Sequence, residues 1–153
     1  MKYVCLIICF LQVISCTNHQ TESELIVANE QNGIKVRISH SAGNYIDGAV
    51  PLACPFNIGH SVESQPKDSL FVILGNSITK DKTLPVRPIA KLQMSDDNLL
   101  KEYVVATVPS DTLLNFEGLV TEYAYVRNIV ETYLNNYKGL GKTKVMDWSA
   151  YKK

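Results

Sequence analysis

Ser69-Leu70-Phe71-Val72-Ile73-Leu74 is an apolar run closed by Gly75-Asn76. Its length, its β-branched and aromatic content and the turn signal behind it predict a fully buried central strand rather than a helix. Such a strand needs a neighbour on each edge, so the residues on either side decide the architecture. Downstream, Gly75 to Thr83 reads as a loop, and strands are expected from Pro85 to Met94 and from Glu102 to Val108. The prolines of the first push it toward a sheet edge, a strand start or a bulge. Upstream, Ile34-Lys35-Val36-Arg37-Ile38-Ser39 alternates apolar and polar residues with the period of a half-buried strand. Asn32-Gly33 reads as a hairpin turn joining it to a short strand over Glu24 to Asn29. Asn44 to Val50 is a weaker strand candidate, and Pro51 to Lys67 reads as a long connection.

Beyond the strands, Leu119, Tyr123, Val126, Val130, Tyr133 and Tyr137 recur at steps of four and three. That spacing lines one helical face and predicts one long helix from about Glu117 to Tyr137. Lys138-Gly139 supplies a basic last turn and a C-cap, and Lys142 to Trp148 reads as a final short strand. A helix laid on a sheet needs an apolar stripe whether or not it binds anything, so the aromatic stripe is assigned to the core. The expected class is α+β, mainly β: a small barrel or strongly bent sheet with one long helix in the C-terminal half packed on it.

The N-terminus carries a different kind of information. Lys2 is followed by an almost unbroken apolar run from Tyr3 to Ile14, too short for the ~20 residues of a membrane-spanning helix but matching the apolar core of a secretory signal. Val13-Ile14-Ser15-Cys16 resembles a bacterial lipobox, which implies cleavage before Cys16 and attachment of lipid to that cysteine. The expected organisation is a lipoprotein signal peptide over 1–15, a flexible polar tether over 16–23 and one domain over 24–153. The expected location is the bacterial cell envelope, with the exported chain held to a membrane by its lipid. Ordinary signal cleavage beside a coincidental cysteine is the alternative. Cys5 and Cys9 would leave with the leader and Cys16 would be acylated, so Cys54 has no partner for an intrachain disulfide. The 15 Lys and Arg balance the 15 Asp and Glu, which provides no basic field for nucleic acid.

Common catalytic motifs are missing from the sequence. It has no Gly-rich phosphate loop ahead of a lysine, no Cys-x-x-Cys, no His-Glu-x-x-His and no Gly-x-Ser-x-Gly. His19, His40 and His60 are scattered, and a lone histidine lacks the partner that would orient it.

Several segments do stand out by their order. Pro55-Phe-Asn-Ile-Gly59, Asp68-Ser-Leu-Phe-Val-Ile-Leu-Gly75, Leu84-Pro-Val-Arg-Pro-Ile-Ala-Lys-Leu-Gln-Met-Ser-Asp96, Val104-Val-Ala-Thr-Val-Pro109, Tyr133-Leu-Asn-Asn-Tyr-Lys138 and Lys144-Val-Met-Asp-Trp148 follow one another along most of residues 54–148. Together they resemble the soluble family I inorganic pyrophosphatases. The resemblance implies a five-stranded OB-like barrel with a helix packed across it. It implies Mg²⁺-assisted hydrolysis of pyrophosphate to two phosphates, a reaction of phosphate metabolism, at a barrel mouth rich in carboxylates. Hard oxygen ligands are what several Mg²⁺ ions require.

The sequence departs from that pattern where the metals would sit. The family's Asp-x-Asp-Pro-x-Asp signature falls on Pro66-Lys67-Asp68-Ser69-Leu70-Phe71, leaving Asp68 as the one carboxylate, in the place of the residue that helps deprotonate the attacking water. A second acidic pair, five residues apart, has two registers: Asp96 with Lys101, counting forward from Met94, or Asp97 with Glu102, counting back from Val108-Pro109. The second keeps two oxygen ligands and is preferred, so Asp96, Asp97 and Glu102 stand as candidate metal ligands. Tyr137 and Lys138 match the family's phosphate-binding pair; a buried tyrosine beside a helix-terminal lysine is the structural alternative. Two readings follow. One is a weakened Mg²⁺-dependent diphosphatase; the other is a non-catalytic exported lipoprotein that binds a phosphate-bearing small molecule or a protein partner. Oligomerisation is left open.

Overall fold

The computed structural model describes residues 33–46, 51–63, 70–111 and 115–152. Among them lie β1 (Ile34–His40), β2 (Asn57–Ser61), β3 (Leu70–Ile73), β4 (Thr83–Asp96), β5 (Leu99–Thr107), α1 (Phe116–Val120), α2 (Ala124–Asn136) and β6 (Thr143–Ala150). β3 is central, as its composition predicts. It lies between β2, antiparallel with Phe71 opposite Gly59, and β5, parallel with Val72 opposite Val105. The strand order is β1-β2-β3-β5-β4-β6, and β1 also pairs with β4. The first five strands therefore close into an OB-like ring, and β6 is carried on β4.

Period-two alternation sends the apolar residues of these strands to two cores. Val36, Ile38, Phe71, Ile73, Val86, Val104 and Ala106 come only from strands of the ring and fill its inside. Val72, Leu92, Met94 and Val105 point the other way, onto Leu119 of α1 and Val130, Tyr133 and Leu134 of α2. Each fully buried side chain of this kind contributes roughly 1.5–3 kcal/mol. Two cores from one layer of strands explain why the Leu70 to Leu74 run is apolar on consecutive residues.

Three expectations changed on folding. β1 forms, but its edges go to β2 and β4; the expected hairpin partner over 24–29 lies outside the described residues. The connection after Pro51 contains β2, whose Gly59 is required: a Cβ there would meet Val36 Cγ1 at 2.4 Å and the Arg37 carbonyl oxygen at 2.7 Å. The expected single helix is two. Thr121 leaves helical geometry (φ −112°, ψ −85°), with its N–H bonded back to Glu117 and Gly118, and Tyr123 N–H also returns to the Gly118 carbonyl at 2.8 Å. Other expectations carry through. β4 has a register shift between Pro88 and Ala90, the bulge that its prolines anticipate, and Gly139 ends the helical region at φ +100°. No helix among the described residues is long and apolar enough to cross a membrane.

Buried Asn57 ties the loops around β2 and β3 together. Its Oδ1 accepts from Ala42 N–H at 3.0 Å and Ile78 N–H at 2.8 Å, while its Nδ2 donates to the Asn76 carbonyl at 2.9 Å. Every side of the amide is used, which is what a fully buried polar group requires.

Candidate functional site

The β4–β5 turn sets the geometry of the site. Leu92, Met94 and Asp96 alternate onto the buried face of β4, and Asp96 is only 2% exposed. Asp96 pairs with Leu99, which leaves Asp97 and Asn98 as a two-residue turn with φ of 49° and 66°. Positive φ at both turn positions suits the twist of a tight hairpin. The turn then fixes every later pair: Lys101 lies opposite Met94, Glu102 opposite Gln93 and Tyr103 opposite Leu92. Lys101 and Tyr103 thus share the face of Asp96, whereas Glu102 takes the opposite face.

The end of α2 delivers the other half. Tyr137 caps the helix through its N–H to the Tyr133 carbonyl, and Thr143 Oγ1 donates to the Leu134 carbonyl at 2.6 Å, fastening β6 to the helix. This places Lys138 beside the β4–β5 turn. Its Nζ lies 2.5 Å from Asp96 Oδ1, and Lys101 Nζ lies 2.5 Å from Asp96 Oδ2. Asp97 is peripheral, with Oδ2 4.0 Å from Lys138 and a side chain that is 66% exposed. Tyr137 stacks on Tyr133 with ring centroids 6.0 Å apart.

The electrostatics follow from the two ammonium groups. Hydrogen bonds from Lys101 and then Lys138 hold the Asp96 carboxyl below the usual carboxylate range, outweighing its burial. The hydrogen bond to Asp96 raises Lys138 in turn. Burial pushes Tyr103 up to about 12, helped by Tyr137 and Asp96, and burial likewise raises Tyr137. At neutral pH the cluster is the Asp96 carboxylate with exposed Asp97 at its edge, two ammoniums and two neutral phenols. Such a set can donate hydrogen bonds to an anion.

Of the residues singled out in the sequence, Asp96, Asp97, Tyr137 and Lys138 come together. Glu102 does not; it pairs with Lys91 at 3.0 Å on the other face of the strand. Asp68 and Cys16 lie outside the described residues. Phe71, in the signature position where the resemblance implies a metal-bridging aspartate, is fully buried inside the ring. Lys101 and Tyr103 complete the cluster and were not among the candidates, although the two-residue turn and the alternation of Leu92, Met94 and Asp96 place them there.

The described residues do not make a magnesium site. No group of three or more His, Cys, Asp or Glu among them could hold a metal ion, and both oxygens of Asp96 are engaged by ammonium groups. Mg²⁺ demands oxygen ligands near 2.0–2.1 Å in octahedral array, and a cation there would face two positive charges. Away from the cluster, an apolar cleft of about 400 Å³ lies between Leu52, Pro55 and α2 residues Ile129, Thr132 and Tyr133.

The sequence matches no protein-family model and no curated protein. The fold does match solved structures. An inorganic pyrophosphatase from Coxiella burnetii superposes with a TM-score of 0.64 at 14% identity, over 78% of this chain and 88% of that one. The inorganic pyrophosphatase of Helicobacter pylori gives 0.63 at 16% identity, over 77% and 84%. That of Thermus thermophilus gives 0.62 at 17%, over 76% and 81%. The chain shares the fold of these enzymes.

Proposed function

We propose that this chain is an exported, lipid-anchored domain that binds a phosphate-bearing small molecule, with pyrophosphate as the first candidate, and turns it over far more slowly than a complete pyrophosphatase site would. The pyrophosphatase-like fold supports the ligand class. The observation that carries the reading is the pair of ammonium groups on Asp96, with the Tyr137 ring 5.8 Å from Lys138 Nζ. Lysine ammoniums and phenols are donors suited to phosphate oxygens. The same arrangement argues against fast hydrolysis, because the described carboxylates do not converge to seat the cations that would activate water. Asp68 is proposed as the group that would orient or deprotonate water in any residual reaction.

Phosphate release from pyrophosphate by the purified protein, with and without Mg²⁺, tests this reading. The expected outcome is saturable binding with little release under either condition. Rapid Mg²⁺-dependent release that is abolished in Asp68→Asn would instead establish the diphosphatase reading. The absence of phosphate or pyrophosphate binding under all conditions would favour a protein partner.

A further inference from the structure

Neutralising Asp96 requires one cation, yet two lie against it. Lys138 alone, 2.5 Å from Oδ1, satisfies that need. Lys101, 2.5 Å from Oδ2, is a second positive charge on the same carboxylate, and its side chain is 46% exposed against 33% for Lys138. In the register that begins at Asp96, it also occupies the position, five residues on, that the resemblance gives to the second acidic ligand of a metal pair. We propose that Lys101 is a tethered substitute for the divalent cation at this end of the site, so that the anion is recognised without metal. This inference rests on the phosphate-binding reading above and specifies how that site achieves charge balance.

Each lysine ammonium has three donors in all, and one from each is spent on Asp96. The remaining donors belong to partly exposed groups held by the same carboxylate, so both ammoniums are positioned before any ligand arrives. The nearby opposing charge is Asp97, at 4.0 Å from Lys138 and largely solvated, where its repulsion of an anion is screened. The Tyr137 ring lies beside the ammonium pair, its centroid 5.8 Å from Lys138 Nζ. A magnesium ion delivered to Asp96 would have to displace one ammonium and sit next to the other. Mg²⁺ therefore competes with Lys101 instead of reinforcing it.

The test is equilibrium binding of inorganic pyrophosphate to the full chain, in EDTA and in excess Mg²⁺. Binding in EDTA should equal or exceed binding in Mg²⁺. Lys101→Met, which keeps Lys138 to neutralise Asp96, should weaken binding in EDTA by about tenfold or more. Lys101→Asp, which restores an acidic pair, should lose binding in EDTA and acquire a requirement for Mg²⁺. Wild-type binding that appears only with Mg²⁺ would overturn the inference while leaving the phosphate reading intact, and this comparison needs no variant to fold. Binding in EDTA that Lys101→Met leaves unchanged would also overturn it. Failure of wild type to bind in either condition would overturn both readings together.

Discussion

Asp96 is the residue on which the site turns, and its titration gives a direct check. Its carboxyl is held below the ordinary value by Lys101 and Lys138. A depressed folded pKa means that the ion pair stabilises the fold fully above the unfolded value of ~3.9 and loses that contribution as pH falls through the lower folded value. Urea midpoints measured between about pH 2 and pH 7 should therefore fall more steeply on the acid side for wild type than for Asp96→Asn, with the variant less stable at neutral pH. Parallel curves would remove the pair from the stability of the fold. The acidic segment was legible in the sequence down to its two registers, but the choice between them was not. Preferring Asp97 with Glu102 kept two carboxylates together. The tight turn at Asp97-Asn98 instead sends Glu102 to Lys91 and brings Lys101 round to Asp96, a consequence of backbone sign at two residues that composition does not express.

At the scale of elements, β3 carries the strongest claim. Val72 is 1% exposed and faces the core beneath α1 and α2. Val72→Ala should cost on the order of 2–3 kcal/mol through lost burial and the cavity left behind. A denaturation midpoint equal to that of wild type would place the strand at the surface. Elements whose residues announce themselves were readable: the apolar run of β3, the alternation of β1, and the stripe of Val126, Val130 and Tyr133 along α2. β2 was not, because Asn57-Ile58-Gly59-His60-Ser61 has little strand character of its own. It becomes a strand through its neighbours, with Asn57 anchoring loops on either side and Gly59 admitting the backbone of β1. The break between α1 and α2 was hidden for a related reason. The stripe keeps its period across Thr121 to Tyr123, while the backbone there leaves helical geometry.

For the whole molecule, the proposed anchor at Cys16 makes a separate prediction. Mass spectrometry of the mature protein should find Cys16 as the first residue, carrying lipid, and Cys16→Ser should release the domain or leave it uncleaved. An unmodified N-terminus downstream of Cys16 would end the lipoprotein proposal. Anchoring would also confine many copies to a surface, and there the rim of the sheet matters. Ring closure pairs both sides of β1, β2, β3 and β5, whereas β6 is paired on the β4 side and has no second strand partner among the described residues. An open rim of backbone donors and acceptors is a template for a neighbouring molecule. This one is occupied at Val145, whose N–H donates to Asn135 Oδ1 at 2.6 Å, and is interrupted by exposed Lys144 and Asp147 and by the extra residue Met146, where the register with β4 shifts. Those features make β6 a poor surface for zipping one copy onto the next. The colloidal behaviour of a crowded layer of these domains would then depend on the charges and the bulge carried by this one strand.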